Sequence, residues 1–308
     1  RRVLFRSCLI CVLGLQRGVE KITKVMMGLL LGVMILLVIK SLSLSGAMKG
    51  VEFYLIPDFN ALKENGIFNA IYAAMGQAFF TLSVGMGGMA IFGSYIDRDH
   101  SLTGEGLRVL ALDTFVAVMA GFIIFPACMS FGVDAGSGPG LVFVTLPNIF
   151  NVMDNGRIWG TLFFIFMNFA ALSTIIAVFE NIVSFSIDLL SWPRKKSVIV
   201  NFIIIVIGSI PCAIGFSVLS GFQPFGPGSA VLDLLDFLVS NVIMPFGSLV
   251  FLFFCTKKIG WGWKNFISEA NAGKGIKFPE KTKFYVSWIL PVIVVFIFIS
   301  GLWEKLFT

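Results

Sequence analysis

The sequence predicts an all-α polytopic membrane protein, and three observations carry that reading. Hydrophobic residues make up 57% of the 308 residues, with a mean hydropathy of +0.94. Charged residues are only 13%, where soluble domains carry about 25%. Seven apolar runs are each long enough to cross about 30 Å of hydrocarbon. A soluble fold cannot hide that much apolar surface, and a disordered chain needs the opposite composition.

The elements follow in order. Residues 1–7 are no signal peptide, and the apolar run Cys8–Leu15 is too short to span, so 1–15 is expected to be a truncated helix remnant behind a possibly non-native leader. Residues 16–308 are expected to form one transmembrane domain. Its seven spans run approximately over 25–44, 67–96, 107–131, 159–190, 197–219, 231–256 and 284–303. Helices are the default because an open strand edge cannot be satisfied in lipid. The 26-residue segment 132–157 holds Gly136-Ser137-Gly138-Pro139-Gly140, then the apolar stretch Leu141–Phe150 interrupted by Pro147. That stretch is too short to span and predicts a short helix turned back toward the bundle, like a lid. No tandem repeat of short period is present.

With alternating spans, the loops 16–24, 97–108, 191–197 and 257–283 hold 15 Lys and Arg, and the opposite set holds 5. The richer set belongs in the cytoplasm, so the C-terminus is expected outside. The net charge of +6 is therefore a loop property and points to no nucleic acid. The five cysteines sit in or beside apolar runs, and the single histidine, His100, lies in a loop. Neither zinc nor haem spacing appears, and no Ser-His-Asp set can be assembled, so an enzyme is not expected.

Polar groups inside spans are informative because an unpaired charge there costs at least a few kcal/mol. Asp188 and Asp236 lie near membrane faces and fit either interfacial or functional roles. Asp113 and Glu180 lie deeper and favour an ion or pathway role. In Gly76–Gly88, three glycines in four residues (Gly85, Gly87, Gly88) follow Thr81 and Ser83. A broken helix there would offer carbonyls to a small hard cation and a helix N-terminus to a carboxylate; close helix packing through small residues explains the same glycines. In Phe169–Thr174, a carbonyl and two hydroxyls could ligate sodium, or the hydroxyls could bond back to their own helix.

These segments resemble a known family. GQAFFTLSVGMGG with Ser94-Tyr95 resembles the broken sixth helix of the neurotransmitter:sodium symporters. ALSTIIAVFENI at 171–182 resembles their eighth helix, and LDLLDFL at 232–238 the start of their tenth. PDFNAL and VTLPNIF are similar to parts of their outer loops. The resemblance covers nearly all the chain from residue 14 and implies a partial leucine-transporter-type inverted-repeat fold, from the end of helix 4 through helix 11. Helices 1–3 are then expected to be missing, and with them part of the substrate site and of both sodium sites.

The resemblance implies roles residue by residue. Thr81 and Asp113 match the first sodium site; Ala170, Ser173 and Thr174 match the second. Phe80, Thr81, Ser83, Met86, Thr174 and Val178 match positions around the substrate. Asp236 matches the acid of the outer gate, and Tyr95 and Asp188 match members of the inner gate. The implied activity is sodium-coupled symport of an amino acid across the plasma membrane by alternating access. Two departures refine it. Met86 stands where an aromatic is common, and its adaptable thioether predicts a broad preference for hydrophobic or aromatic amino acids. Ala117 stands where chloride-dependent members carry serine, while Asp113 supplies a fixed charge, so chloride is expected to be dispensable. Glu180 also occurs in the family and receives no chemical step. Competing readings are a non-transporting sensor on the same fold and an ion channel, although neither rings of charge nor a repeated filter appears.

Overall fold

The computed structural model describes residues 20–64, 66–94, 96–133, 140–226 and 229–307. Residues 1–15 and the Gly136–Pro139 turn, both singled out above, lie outside them. Among the described residues there is no strand, only an isolated bridge between His100 and Lys274. Among the described residues, five helices are long and apolar enough to cross a membrane: Thr23–Leu42, Leu102–Ser130, Gly156–Leu190, Arg194–Ile214 and Val231–Thr256. The chain is a multi-pass helical membrane protein. It divides into two compact units.

The first unit holds the chain up to Asp58 and Thr114–Phe202. It contains α1 (Glu20–Leu42), α2 (Ala47–Leu55), the later part of α6 (Leu102–Ser130), α7 (Leu146–Val152), α8 (Gly156–Leu190) and the start of α9 (Arg194–Ile214). Its core joins Leu30, Met34 and Leu37 of α1 to Ile123, Leu146, Ile149, Phe163 and Phe166. The apolar stretch after Gly140 is helical, as its length predicted, and its Leu146 and Ile149 are buried in that core. Small residues bring backbones together: a Cβ on Gly50 would strike the backbone of Phe125 and Pro126, and one on Gly121 would strike the Tyr54 ring. Tyr54 stacks on Phe125 at 4.8 Å, and Ser41 Oγ donates to the Ile123 carbonyl at 2.7 Å.

The second unit holds Phe59–Asp113 and Ile203–Thr308. It contains α3 (Phe59–Glu64), α4 (Ile67–Thr81), α5 (Gly88–Ser94), the start of α6, the rest of α9, α10 (Val231–Phe237), α11 (Met244–Thr256), α12 (Trp263–Ala270) and α13 (Leu290–Phe307). The apolar run 67–96 is not one rod, since α4 and α5 are separate helices. At α10, Asp233 accepts the Ala230 N–H at 2.6 Å and so fixes the helix start.

Three widened turns share one neighbour. Residues 141–145, 238–243 and 285–289 each form a turn of π-helix, closed by i→i−5 bonds such as Met244 N–H to the Val239 carbonyl. Each lies two residues before a proline: Pro147, Pro245 and Pro291. Proline has no N–H for the carbonyl four residues back, and its ring collides with that carbonyl; an extra residue in the preceding turn relieves the collision. Pro126 and Pro211 sit inside α6 and α9 with no widened turn beside them.

Candidate functional site

The break between α4 and α5 is built from the backbone. After Leu82 the helical ladder ends: the Ser83 N–H bonds the Phe80 carbonyl at 3.1 Å and the Val84 N–H bonds the Phe79 carbonyl at 2.9 Å. That pairing is a Schellman C-cap, which requires a left-handed residue at its turn. Ser83 takes it, at φ 52°. Gly85 and Gly87 follow at φ 85° and 78°, and α5 starts at Gly88. Three residues of left-handed backbone within 83–87 cannot continue a right-handed helix.

The break lies against α11. A Cβ on Gly85 would sit 2.7 Å from the Ser248 nitrogen, and one on Gly247 would sit 3.1 Å from the Gly85 carbonyl carbon. At the last residue of α4, Thr81 Oγ1 lies 2.9 Å from Asp113 Oδ1 and 3.0 Å from Oδ2. A hydroxyl centred on both carboxylate oxygens presents three hard oxygens in one place. Among the described residues no lysine or arginine pairs with Asp113, which is half-buried. The donor set suits an alkali or other hard cation and no soft metal. Among the described residues there is also no cluster of three or more His, Cys, Asp or Glu side chains.

The other expected residues fall as follows. In the second unit Phe80 is exposed, and Ser83 and Met86 are half-buried in the break. In the first unit, Ser173 Oγ and Thr174 Oγ1 both donate to the Ala170 carbonyl, at 2.8 and 3.1 Å. The three residues therefore meet at one carbonyl through back-bonding within α8, the simpler of the two geometries open from sequence. Each hydroxyl oxygen keeps lone pairs free for a cation. Val178 is exposed one turn further along α8. Asp236 is exposed and accepts from Ser240 Oγ at 3.2 Å, Asp188 is exposed, and Tyr95 lies outside the described residues.

Glu180 differs from its sequence expectation of an ion or pathway role. It is fully buried, and Arg194 Nη2 donates to its Oε1 and Oε2 at 2.9 and 2.8 Å. Around this pair Ser197 Oγ donates to the Val183 carbonyl at 3.1 Å and Asn201 Nδ2 to Ser186 Oγ at 2.8 Å. The polar set ties α8 to α9. Sequence reasoning counted Arg194 only as a topology charge; its position four residues after Leu190, the end of α8, was the available signal. An open groove of about 920 Å³ along the first half of α8, lined by Phe150, Arg157, Phe164, Asn168 and Phe169, was also not foreseen.

A helix interrupted within an apolar run, with a carboxylate and hydroxyl beside the break, is the arrangement of the broken-helix class of membrane protein. The model of the sodium:neurotransmitter symporter family matches residues 2–306. The chain belongs to that family. It is 34% identical over 299 residues to the uncharacterized sodium-dependent transporter YhdH of Bacillus subtilis, covering 96% of this chain and 64% of YhdH. A sodium-dependent transporter of Haemophilus influenzae is 30% identical over 296 residues, covering 94% of this chain and 62% of the relative. The crystal structure of MhsT in complex with L-phenylalanine superposes with a TM-score of 0.84 at 35% identity, covering 97% of this chain and 66% of MhsT. The chain thus spans a little under two thirds of the length of these relatives. The fold is that of the leucine-transporter type.

Proposed function

We propose that the whole protein is a sodium-coupled symporter of hydrophobic or aromatic amino acids, working by alternating access in the plasma membrane, with the C-terminal end of the present chain on the outer side. The observation that carries this reading is the Thr81–Asp113 pair at the mouth of the α4–α5 break. A sodium ion there meets the Asp113 carboxylate, the Thr81 hydroxyl and backbone oxygen of the unwound segment, and its charge favours a substrate carboxylate beside it. Phe80, Thr81, Ser83 and Met86 in the second unit, and Thr174 and Val178 in the first, are the proposed substrate residues. Ala170, Ser173 and Thr174 are the proposed second sodium ligands. Asp236, Asp188 and Tyr95 are the proposed gate residues. The apolar substrate class is supported by Met86 and by the phenylalanine bound in MhsT at 35% identity.

Ligand binding can bias the outward and inward states only through a difference in affinity between them. Sodium binding at these oxygens supplies one, because the unwound backbone must hold its ligating shape for the ion to be coordinated. The test is uptake of labelled phenylalanine by the whole protein in proteoliposomes. Uptake is expected under an inward sodium gradient and not under a potassium gradient. Equal uptake under both would refute the coupling. Replacing chloride by gluconate at constant sodium is expected to leave uptake unchanged, since Ala117 offers no hydroxyl and Asp113 already provides the negative charge; its loss would refute chloride independence.

A further inference from the structure

The loop joining α11 to α13 is strongly basic. Residues 257–283 hold seven lysines against two acids, Glu269 and Glu280. Lys258, Lys264, Lys274, Lys277, Lys281 and Lys283 are exposed. Such an excess is ordinarily a solvated loop that fixes topology. Two features set this one apart.

The loop is folded. Trp263 and Phe266 of α12 pack on Phe278, with ring centroids 6.2 and 5.4 Å away. The Asn271 side chain grips the Phe278 backbone at both ends, accepting its N–H at 2.6 Å and donating to its carbonyl at 3.1 Å. The loop is also bonded to the residues before α6: the Lys274 N–H donates to the Asp99 carbonyl at 2.9 Å, and Ser101 Oγ donates to the Ile276 carbonyl. The Lys277 ammonium is held by the Asn271 and Gly273 carbonyls, and the exposed Lys258, Lys264, Lys274, Lys281 and Lys283 stand on the fixed platform.

The platform also has an apolar rim. Ile259 is fully exposed, Phe284 is 68% exposed and Trp288 61%. The Lys257 ammonium sits 3.5 Å from the centre of the Trp288 ring. Ammonium groups beside exposed aromatic rings match the zone where phosphate headgroups meet acyl chains.

We propose that the folded 257–289 segment of the second unit is a docking surface for anionic phospholipids of the surrounding bilayer. The lysines take the headgroup phosphates by charge complementarity, and the rim of Ile259, Phe284 and Trp288 takes the adjoining acyl chains. The rim is what distinguishes a lipid from a free anion. The proposal goes beyond the transport reading and does not depend on it.

Thermal unfolding of the whole protein in neutral detergent tests it, with added phosphatidylglycerol, phosphatidylcholine or inorganic phosphate. Phosphatidylglycerol is expected to raise the midpoint by about 3 °C or more over phosphatidylcholine. The combined Lys258→Gln, Lys264→Gln, Lys281→Gln and Lys283→Gln variant is expected to lose that shift. A Lys40→Gln, Lys49→Gln and Lys63→Gln variant is expected to keep it. The same shift from phosphatidylcholine or from inorganic phosphate, or its retention in the loop variant, overturns the proposal. Should the loop variant yield no folded protein, salt decides with the unaltered chain: about 0.5 M sodium chloride is expected to shrink the shift, and a salt-insensitive shift overturns the proposal.

Discussion

Glu180 and Asp113 are both carboxylates in membrane-spanning helices, and their surroundings are opposite. Glu180 is sealed from solvent and held by both oxygens to Arg194. Asp113 is half-buried and meets the Thr81 hydroxyl. The first acid is neutralised by a cation the chain carries itself, so it is a fastening between α8 and α9. The second has, among the described residues, no such cation, so its charge is available to one that arrives. The difference teaches that depth in a span does not separate a fastening from a proposed ion site; the proposal for Asp113 rests on its having, among the described residues, no lysine or arginine partner.

Breaking the first pair gives the largest expected effect. Arg194→Ala leaves a buried, unpaired charge at Glu180, at a cost of about 3–5 kcal/mol. The folded yield and the thermal midpoint in detergent should fall steeply. The double change Arg194→Gln with Glu180→Gln should recover much of that loss, because no charge is then stranded. If the single and double variants are equally damaged, the pair is not the fastening described here.

Asp113→Ala should behave in the opposite way. Folded yield should change little, while the sodium concentration for half-maximal substrate binding should rise about tenfold or more, equal to about 1.4 kcal/mol of lost ion affinity. An unchanged sodium requirement, measured by scintillation proximity binding, removes Asp113 from the ion site and erases the contrast with Glu180.

The smallest effect sharpens the comparison at the break itself. Ser83 holds a left-handed backbone at φ 52°, a conformation that costs a non-glycine residue about 1–2 kcal/mol. Ser83→Gly should therefore leave stability unchanged or raise it by up to about 1 kcal/mol despite glycine's greater unfolded-state entropy. A simultaneous loss of substrate affinity would show that serine is kept for contact with substrate rather than for the cap.

The sequence reveals the break because Gly85, Gly87 and Gly88 crowd one stretch of an apolar run, although close helix packing would have used the same residues. It does not reveal the Schellman cap, since a serine fills the place glycine usually takes. Thr81 and Asp113 are 32 residues apart, and nothing in that spacing brings them together; only the resemblance to the family did. The Glu180–Arg194 pair was hidden for a similar reason. Its partners stand on two helices joined by a short turn, and no single-helix periodicity reports a contact across it. The widened turns before Pro147, Pro245 and Pro291 are intelligible after the fact, but Pro126 and Pro211 carry none, so proline alone does not foretell them.

The contact of Gly85 with Gly247 has a mechanical consequence. Two stretches of main chain touch there with no side chain between them, and each excludes a Cβ on the other. The seam tolerates no added atom: an alanine at either position would have to push the unwound segment away from α11, so the shape of the break depends on two hydrogens where other residues carry a methyl group.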